Sequence, residues 1–269
     1  MDRSNRRPIR RSRELLGQLR QLGGVHAPPT ILPTVLGQLG LVDSYAPVET
    51  PIGPVFVAYN DHGVSAVMRA PSEADFERKF HLHFGRAVRR VAELPTRLMY
   101  MVHQQLSGAR RSSPRLDLGR LSEFECAVLL KVLEIPRGEV RPYAWVAREI
   151  GSPKAVRAVG SALRRNPIPL LIPCHRVVRT DGSAGEYIFG SEAKRAVLAA
   201  EGIDAEGLER LARSGVRYFG SDTTRVYCFP TCRHARRISD RHRVPFSSVA
   251  KAAAAGYRPC MDCRPAQAS

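Results

Sequence analysis

The sequence predicts an α/β plus mainly helical fold: a small α/β N-terminal domain, a helical domain carrying a helix-turn-helix, and a small C-terminal zinc domain. Three observations carry this. From Thr50 the chain reads strand, turn, strand, with apolar runs on either side of "NDHG". Residues 121–201 show helical spacing punctuated by Pro and Gly breaks around one short strand. Four of the six cysteines then fall in the C-terminal segment as Cys-x3-Cys and Cys-x2-Cys.

Residues 1–48 are Arg-rich and then Pro/Gly-rich, with weak periodicity, and are read as an extension. Residues 49–95 make the small α/β domain. In it, "PIGPVFVAY" and "VSAVMRA" are strands, and a helix begins at Ser72, with Glu73 and Asp75 in its first turn. Residues 115–202 are the helical domain. "SEFECAVLLKVLEIPRGEV" starts with Ser122 and Glu125 at capping-box spacing and stops at Pro136-Arg137-Gly138. A short helix from Tyr143 to Ile150, closed by Gly151, and a second from Lys154 to Arg165, ended by Asn166-Pro167, form a helix-turn-helix pattern. In the second helix Val156, Val159 and Leu163 should face the core. Lys154, Arg157, Ser161, Arg164 and Arg165 then project outward, as a recognition helix requires. Residues 203–217 read as a polar linker with a short helix and some interdomain freedom, and 218–269 as the four-cysteine domain.

Charge narrows the class of partner. The chain has 42 Lys+Arg against 25 Asp+Glu, a formal net charge of +17, so a polyanion is the leading expectation. No apolar run is long enough to span a bilayer, so no membrane is expected. The arginine-rich N-terminus lacks the apolar segment of a secretory signal; an organelle transit peptide and a basic arm on DNA stay open. A cytoplasmic location is the simplest reading (nucleoid-associated in a bacterium; nuclear or organellar otherwise), with the chain a monomer. In a reducing compartment the cysteine spacing argues for a metal, not disulfides: Cys228, Cys232, Cys260 and Cys263 complete a tetrahedral thiolate set for one Zn²⁺. Cys126 lies in an amphipathic pattern and reads as core.

The stretch "IPLLIPCHRVV", residues 168–178, reads as a buried strand into which Cys174 and His175 are driven. With its surroundings, "RAVGSALRRNPIPLLIPCHRVV" and the following "GSAGEY", it resembles the O6-alkylguanine-DNA alkyltransferase family, from about residue 50 to Glu201. The resemblance implies double-stranded DNA as partner and a single-turnover transfer of an alkyl group from guanine O6 to sulfur. Cys174 would be the acceptor, His175 its base through a water, and Glu201 the group orienting His175. Arg157 would fill the gap left by a flipped nucleotide. Tyr143 would face the base edge and the phosphate, Tyr187 would donate to O6, and Asn166 would hold the Asn-Pro turn. Phe189, where many relatives have glycine, should crowd the alkyl pocket.

The C-terminal run, including "CFPTC" and "GYRPCMDC", resembles the zinc domain of the bacterial adaptive-response protein Ada. That resemblance implies a second transfer, from backbone methylphosphotriesters to Cys228. The order differs, because the module here follows the alkyltransferase region, and no AraC-type region accompanies it. Two alternative classes stand beside repair: a DNA-damage sensor that does not transfer, and a zinc-dependent DNA-binding regulator. The acceptor cysteine counts against the first, and the single helix-turn-helix against the second.

Overall fold

The computed structural model describes Val35 and residues 42–107 and 114–266. The chain divides into two compact units, residues 1–42 and 43–269. All but Val35 and Val42 of the first lies outside the described residues, so the reading of the N-terminal extension rests on sequence alone.

The α/β layer begins earlier than the sequence suggests. Strand β1 (Val42–Val48) pairs antiparallel with β2 (Val55–Asn60), which pairs antiparallel with β3 (Gly63–Met68). With β4 (Ala87–Arg90) the sheet order is β3-β2-β1-β4. Helix α1 (Glu73–Phe84) starts at the expected Ser72, whose hydroxyl accepts from the Asp75 N–H at 3.1 Å. It buries Phe76 and Phe80 on Tyr45, Ala58 and Ala66, one face of the sheet. The opposite face, with Val55, Val57, Val64 and Val67, joins the core of the helical domain. Residues 115–117 close the outer edge of β3: Val64 N–H donates to the Arg115 carbonyl and Asp117 N–H to the Val64 carbonyl, each at 2.8 Å.

Helix α2 (Thr96–Ser107), not anticipated, leads into the helical domain, where Gln105 Nε2 donates to the Leu171 carbonyl at 3.0 Å. Helix α3 (Glu123–Leu133) carries the capping box formed by Ser122 and Glu125. Strand β5 (Arg141–Pro142) and helix α4 (Tyr143–Glu149) follow, then Gly151 at φ 74° and helix α5 (Val156–Arg164). The helix-turn-helix is therefore present with both helices shorter than the spacing suggests, and Lys154 precedes α5. Val159 and Leu163 are buried as expected.

Residues 168–178 are not a strand. Pro167, Pro169 and Pro173 have no N–H to give a ladder. The run instead turns at Leu170 (φ 74°), winds into a 3₁₀ turn at Cys174–Arg176, and only then forms the short β6 (Val177–Val178), parallel to β5. Helices α6 (Ser191–Ala200) and α7 (Ala205–Arg213) complete the region.

In the C-terminal module, β7 (Tyr218–Ser221), β8 (Val226–Cys228), β9 (Arg243–Phe246) and β10 (Arg258–Pro259) form a sheet of order β10-β8-β7-β9. Helix α8 (Val249–Ala254) packs Ala252 on Tyr227, Phe246 and Tyr257. The expected interdomain freedom is not found. The linker helix α7 exists, but the four cysteines, Phe229 and Ala235 share one core with Trp145, Val146 and Ala147 of α4.

Gly63 combines a φ of 136° with a Cβ position already filled by the Arg115 backbone, so any side chain there pushes residues 115–117 off the sheet edge. Gly63→Ala is expected to lower stability by about 1–3 kcal/mol in denaturant unfolding, the cost of a forced positive φ with a clash added.

Candidate active site

The Asn166-Pro167 break ends α5 and starts the turn that presents Cys174. Asn166, 1% exposed, accepts from the Ile168 N–H at 3.0 Å and donates through Nδ2 to the Ile172 carbonyl and to Cys174 Sγ, each at 3.2 Å. One side-chain amide thus shapes the turn and touches the sulfur. Cys174 is buried at the floor of a cleft of about 550 Å³ whose walls include Tyr143, Arg157, Ser161, Arg164, Tyr187 and Ile188. Burial pushes its thiol up to about 11. The resting sulfur is therefore protonated and needs a base before it can act as a nucleophile.

His175 is 1% exposed, and burial holds its pKa below the usual imidazole value even though Glu201 opposes this. Its Nε2 is 3.0 Å from Glu201 Oε1. Its Nδ1 has no protein partner among the described residues, and neither has the Tyr187 hydroxyl. Burial would raise the Glu201 carboxyl, but hydrogen bonds from His175 and Arg176 outweigh it and hold the group at about 2. A neutral imidazole with a fixed anion behind it is the arrangement of a general base.

Several participants escaped the sequence reading. Arg176 forks onto Glu201, with Nε 2.9 Å from Oε2 and Nη2 2.7 Å from Oε1, and also donates to the Ile135 carbonyl at 2.7 Å. Lys194, fully buried, donates to the Val177 carbonyl at 2.6 Å and to the Ala184 carbonyl, which ties α6 and the loop before Tyr187 to the strand after the Cys174–Arg176 turn. Burial pulls its pKa down to about 8. The signal was legible, because Lys194 shares one helical stripe with Val197, Leu198 and Glu201.

Of the outward residues of α5, Arg157, Ser161 and Arg164 line the cleft, while Lys154 is exposed just before the helix. Arg164 faces Glu186 at 2.6 Å, both side chains about 70% exposed, a pair that salt and competing anions readily open. Arg165 turns away onto Glu125 at 2.6 Å, on the wall of a neighbouring cavity. Phe189 also lies on that cavity, edge-on to Tyr187 with ring centroids 5.6 Å apart. The residue on the wall of the Cys174 cleft is Ile188, which corrects the expectation placed on Phe189.

In the C-terminal module the ligand atoms of Cys228, Cys232, Cys260 and Cys263 lie within 4.8 Å of one another, all buried. Four sulfurs that close fit a tetrahedral thiolate site of the kind zinc takes. Cys228 and Cys260 also line a cavity of about 530 Å³ with Thr223, Thr224, Arg237 and Arg258.

Two family models match: "6-O-methylguanine DNA methyltransferase, DNA binding domain" over residues 123–203 and "Metal binding domain of Ada" over residues 210–266. The methylated-DNA–protein-cysteine methyltransferase of Methanosarcina acetivorans is 34% identical over 162 residues, 59% of this chain and 97% of that protein. The bifunctional transcriptional activator/DNA repair enzyme Ada of Escherichia coli is 33% identical over 176 residues, 63% of this chain and 48% of Ada. The methyltransferase of Methanothermobacter thermautotrophicus is 48% identical over 93 residues, and here too the match spans only about half of the relative, 51%. Among solved structures, the O6-methylguanine methyltransferase of Mycobacterium tuberculosis superposes with a TM-score of 0.50 at 29% identity, covering 59% of this chain and 92% of that one. The chain belongs to the methylated-DNA–protein-cysteine methyltransferase family.

Proposed function

We propose that this protein repairs alkylated double-stranded DNA by direct reversal, moving the alkyl group of O6-alkylguanine onto Cys174 in one irreversible turnover. The observation that carries the reading is a buried thiol at the floor of a cleft lined by an arginine-bearing helix, followed in sequence by the His175–Glu201 pair. A stacked base cannot reach a sulfur so buried, so the nucleotide must leave the helix, with Arg157 filling its place and Tyr143 against its edge. Lys154, Ser161 and, once its pair with Glu186 opens, Arg164 would contact the backbone around it, while Arg165 would first have to leave Glu125.

In the chemical step the Cys174 proton passes through a water to His175 Nδ1 while Nε2 stays against Glu201. The sulfur attacks the alkyl carbon, the carbon–O6 bond breaks, and its electron pair stays with guanine, where the Tyr187 hydroxyl donates to O6. The proton held by His175 then neutralises the base. What remains is a thioether, which no group of this site can hydrolyse. The protein would act as a monomer in a reducing compartment, the cytoplasm in the simplest case. No described helix is long and apolar enough to cross a membrane.

A second transfer fits the C-terminal module. Cys228 opens on a cavity lined by hydroxyls and arginines that suits a phosphate backbone. A bound zinc ion would keep the four sulfurs deprotonated at neutral pH. Cys228 would then attack the methyl carbon of a methylphosphotriester, and the departing group is an ordinary phosphodiester anion.

Incubation with a duplex carrying O6-methylguanine should place one methyl on Cys174 per chain. Cys174→Ala should lose repair while still binding DNA; several turnovers per chain, or repair by the variant, would refute the assignment. The pH dependence is equally specific. The reactive thiolate–imidazolium pair forms from thiol and neutral imidazole without net proton exchange. The single-turnover rate should therefore stay level from about 6.5, the ordinary imidazole value, towards the thiol's value of about 11. It should fall only on the acid side, as His175 protonates through its lowered pKa. A rate climbing about tenfold per pH unit through neutrality would mean that free thiolate, not the His175 relay, limits the step. For the second transfer, a duplex with methylphosphotriesters and no O6-methylguanine is offered to Cys174→Ala protein. Methyl on Cys228 is the expected product, and four unmodified cysteines in a zinc-bound chain would reduce the module to a DNA grip.

A further inference from the structure

The seam between the helix-turn-helix and the four-cysteine module combines an apolar core with several buried polar groups, and those groups sit beside residues that matter on each side. Trp145, the sole tryptophan, is 3% exposed, and its indole N–H donates to the Cys263 carbonyl at 3.0 Å. The guanidinium groups of Arg141 and Arg264 lie 5.8 and 5.7 Å from its ring. The Val140 N–H donates to Thr231 Oγ1 at 2.9 Å, and the Arg233 N–H to Glu139 Oε1 at 3.0 Å. Glu139 is itself paired with Arg141, both side chains nearly without solvent contact. Thr231 and Arg233 flank Cys232, and Cys263 supplies its own carbonyl, so the module's half of the seam is made by the cysteine loops.

The other half leads to the Cys174 cleft. Trp145 lies two residues after Tyr143 on α4. Gly138, one residue before Glu139, donates its N–H to Glu201 Oε2 at 3.4 Å. The Arg236 guanidinium lies where a Cβ on Gly138 would be 3.4 Å from it, and the Arg236 N–H donates to the Cys232 carbonyl at 3.0 Å. Arg141 and Pro142 form β5, the partner of β6 directly after the Cys174–Arg176 turn.

We infer that the four-cysteine site braces the Cys174 site: holding its loops in place fixes residues 138–145, and so Tyr143 and Glu201, and metal loss slows alkyl transfer. The inference rests on the zinc and alkyl-transfer readings above. A module this small loses its fold with its metal. Its unfolding would strip partners from a buried indole N–H, a buried carboxylate and the Val140 amide at once, and buried polar groups left unpaired drive rearrangement.

Trp145 reports the seam independently of activity. The experiment uses the full chain, with metal content read by elemental mass spectrometry. Zinc is stripped by a chelator under reducing conditions and then restored. Removal should shift Trp145 emission to the red and slow methyl transfer from an O6-methylguanine duplex to Cys174 by about tenfold, a usual size for coupling between two sites. Re-addition of zinc should reverse both. Thr231→Val keeps all four cysteines and should keep its zinc while slowing transfer by a smaller factor; Trp145→Phe, which keeps a ring but loses the N–H, serves the same purpose if Thr231→Val does not fold. A metal-free chain that transfers methyl at the original rate overturns the brace, whether or not the emission moves, and leaves both earlier readings intact. An active chain that neither carries nor takes up zinc overturns the metal reading and the brace with it. A zinc-loaded chain that methylates no cysteine refutes the transfer reading instead.

Discussion

A single carboxylate at the end of α6 holds three parts of the helical domain in register. Glu201 is almost wholly buried, yet it stays ionised because it faces the His175 imidazole and the Arg176 guanidinium together. Neither partner is dispensable in physical terms. Without Arg176 the buried anion would be poorly compensated, and without His175 it would have no chemical purpose. By also receiving the Gly138 N–H it fixes the loop that follows α3. The turn carrying Cys174 is thereby held from its far side, while Asn166 holds it from the near side.

This arrangement separates two demands that a sulfur nucleophile makes on a protein. The thiol must be sheltered, and shelter raises its pKa; it must also be deprotonated when substrate is present. In the proposed mechanism the proton moves a short distance from Cys174 onto the His175 ring, already backed by the Glu201 charge, so the buried region would gain no net charge. Lys194 places an ammonium group behind the loop leading to Tyr187, met by backbone carbonyls, and burial makes that charge easier to lose than an exposed lysine's. The same economy holds at the seam, where the Glu139–Arg141 pair is closed on itself and then satisfied by one backbone N–H from the module.

How much of this the sequence disclosed depended on whether the signal was local. The caps at Ser72 and Ser122, the glycine after α4 and the four-cysteine spacing are short-range chemistry, and each is found where it was expected. The roles expected of Cys174, His175 and Glu201 came from one motif and its resemblance, and the fold places the Glu201 carboxylate 3.0 Å from His175 Nε2. Strand β1 was missed because "VDSYAPV" has a proline and no clean alternation; its identity as a strand comes from pairing with β2. The run at 168–178 misled because its apolar residues are buried by a turn and not by a sheet, a distinction that its prolines signalled. The docking of the C-terminal module could not be read at all. Part of it is made by the carbonyls of Cys263, Arg264 and Pro265, which any residue would supply, and the rest by an apolar core and single contacts such as Thr231 with Val140 that no periodic pattern marks.

The bond from Trp145 to Cys263 spans 118 residues, which has a consequence for how the chain matures. The Trp145 N–H can meet this partner only after the last cysteine pair has left the ribosome, and contacts so distant in sequence close late and slowly. A chain stalled or cut between α7 and Cys263 would keep Cys174, His175 and Glu201 and still lack the carbonyl that meets the Trp145 indole N–H.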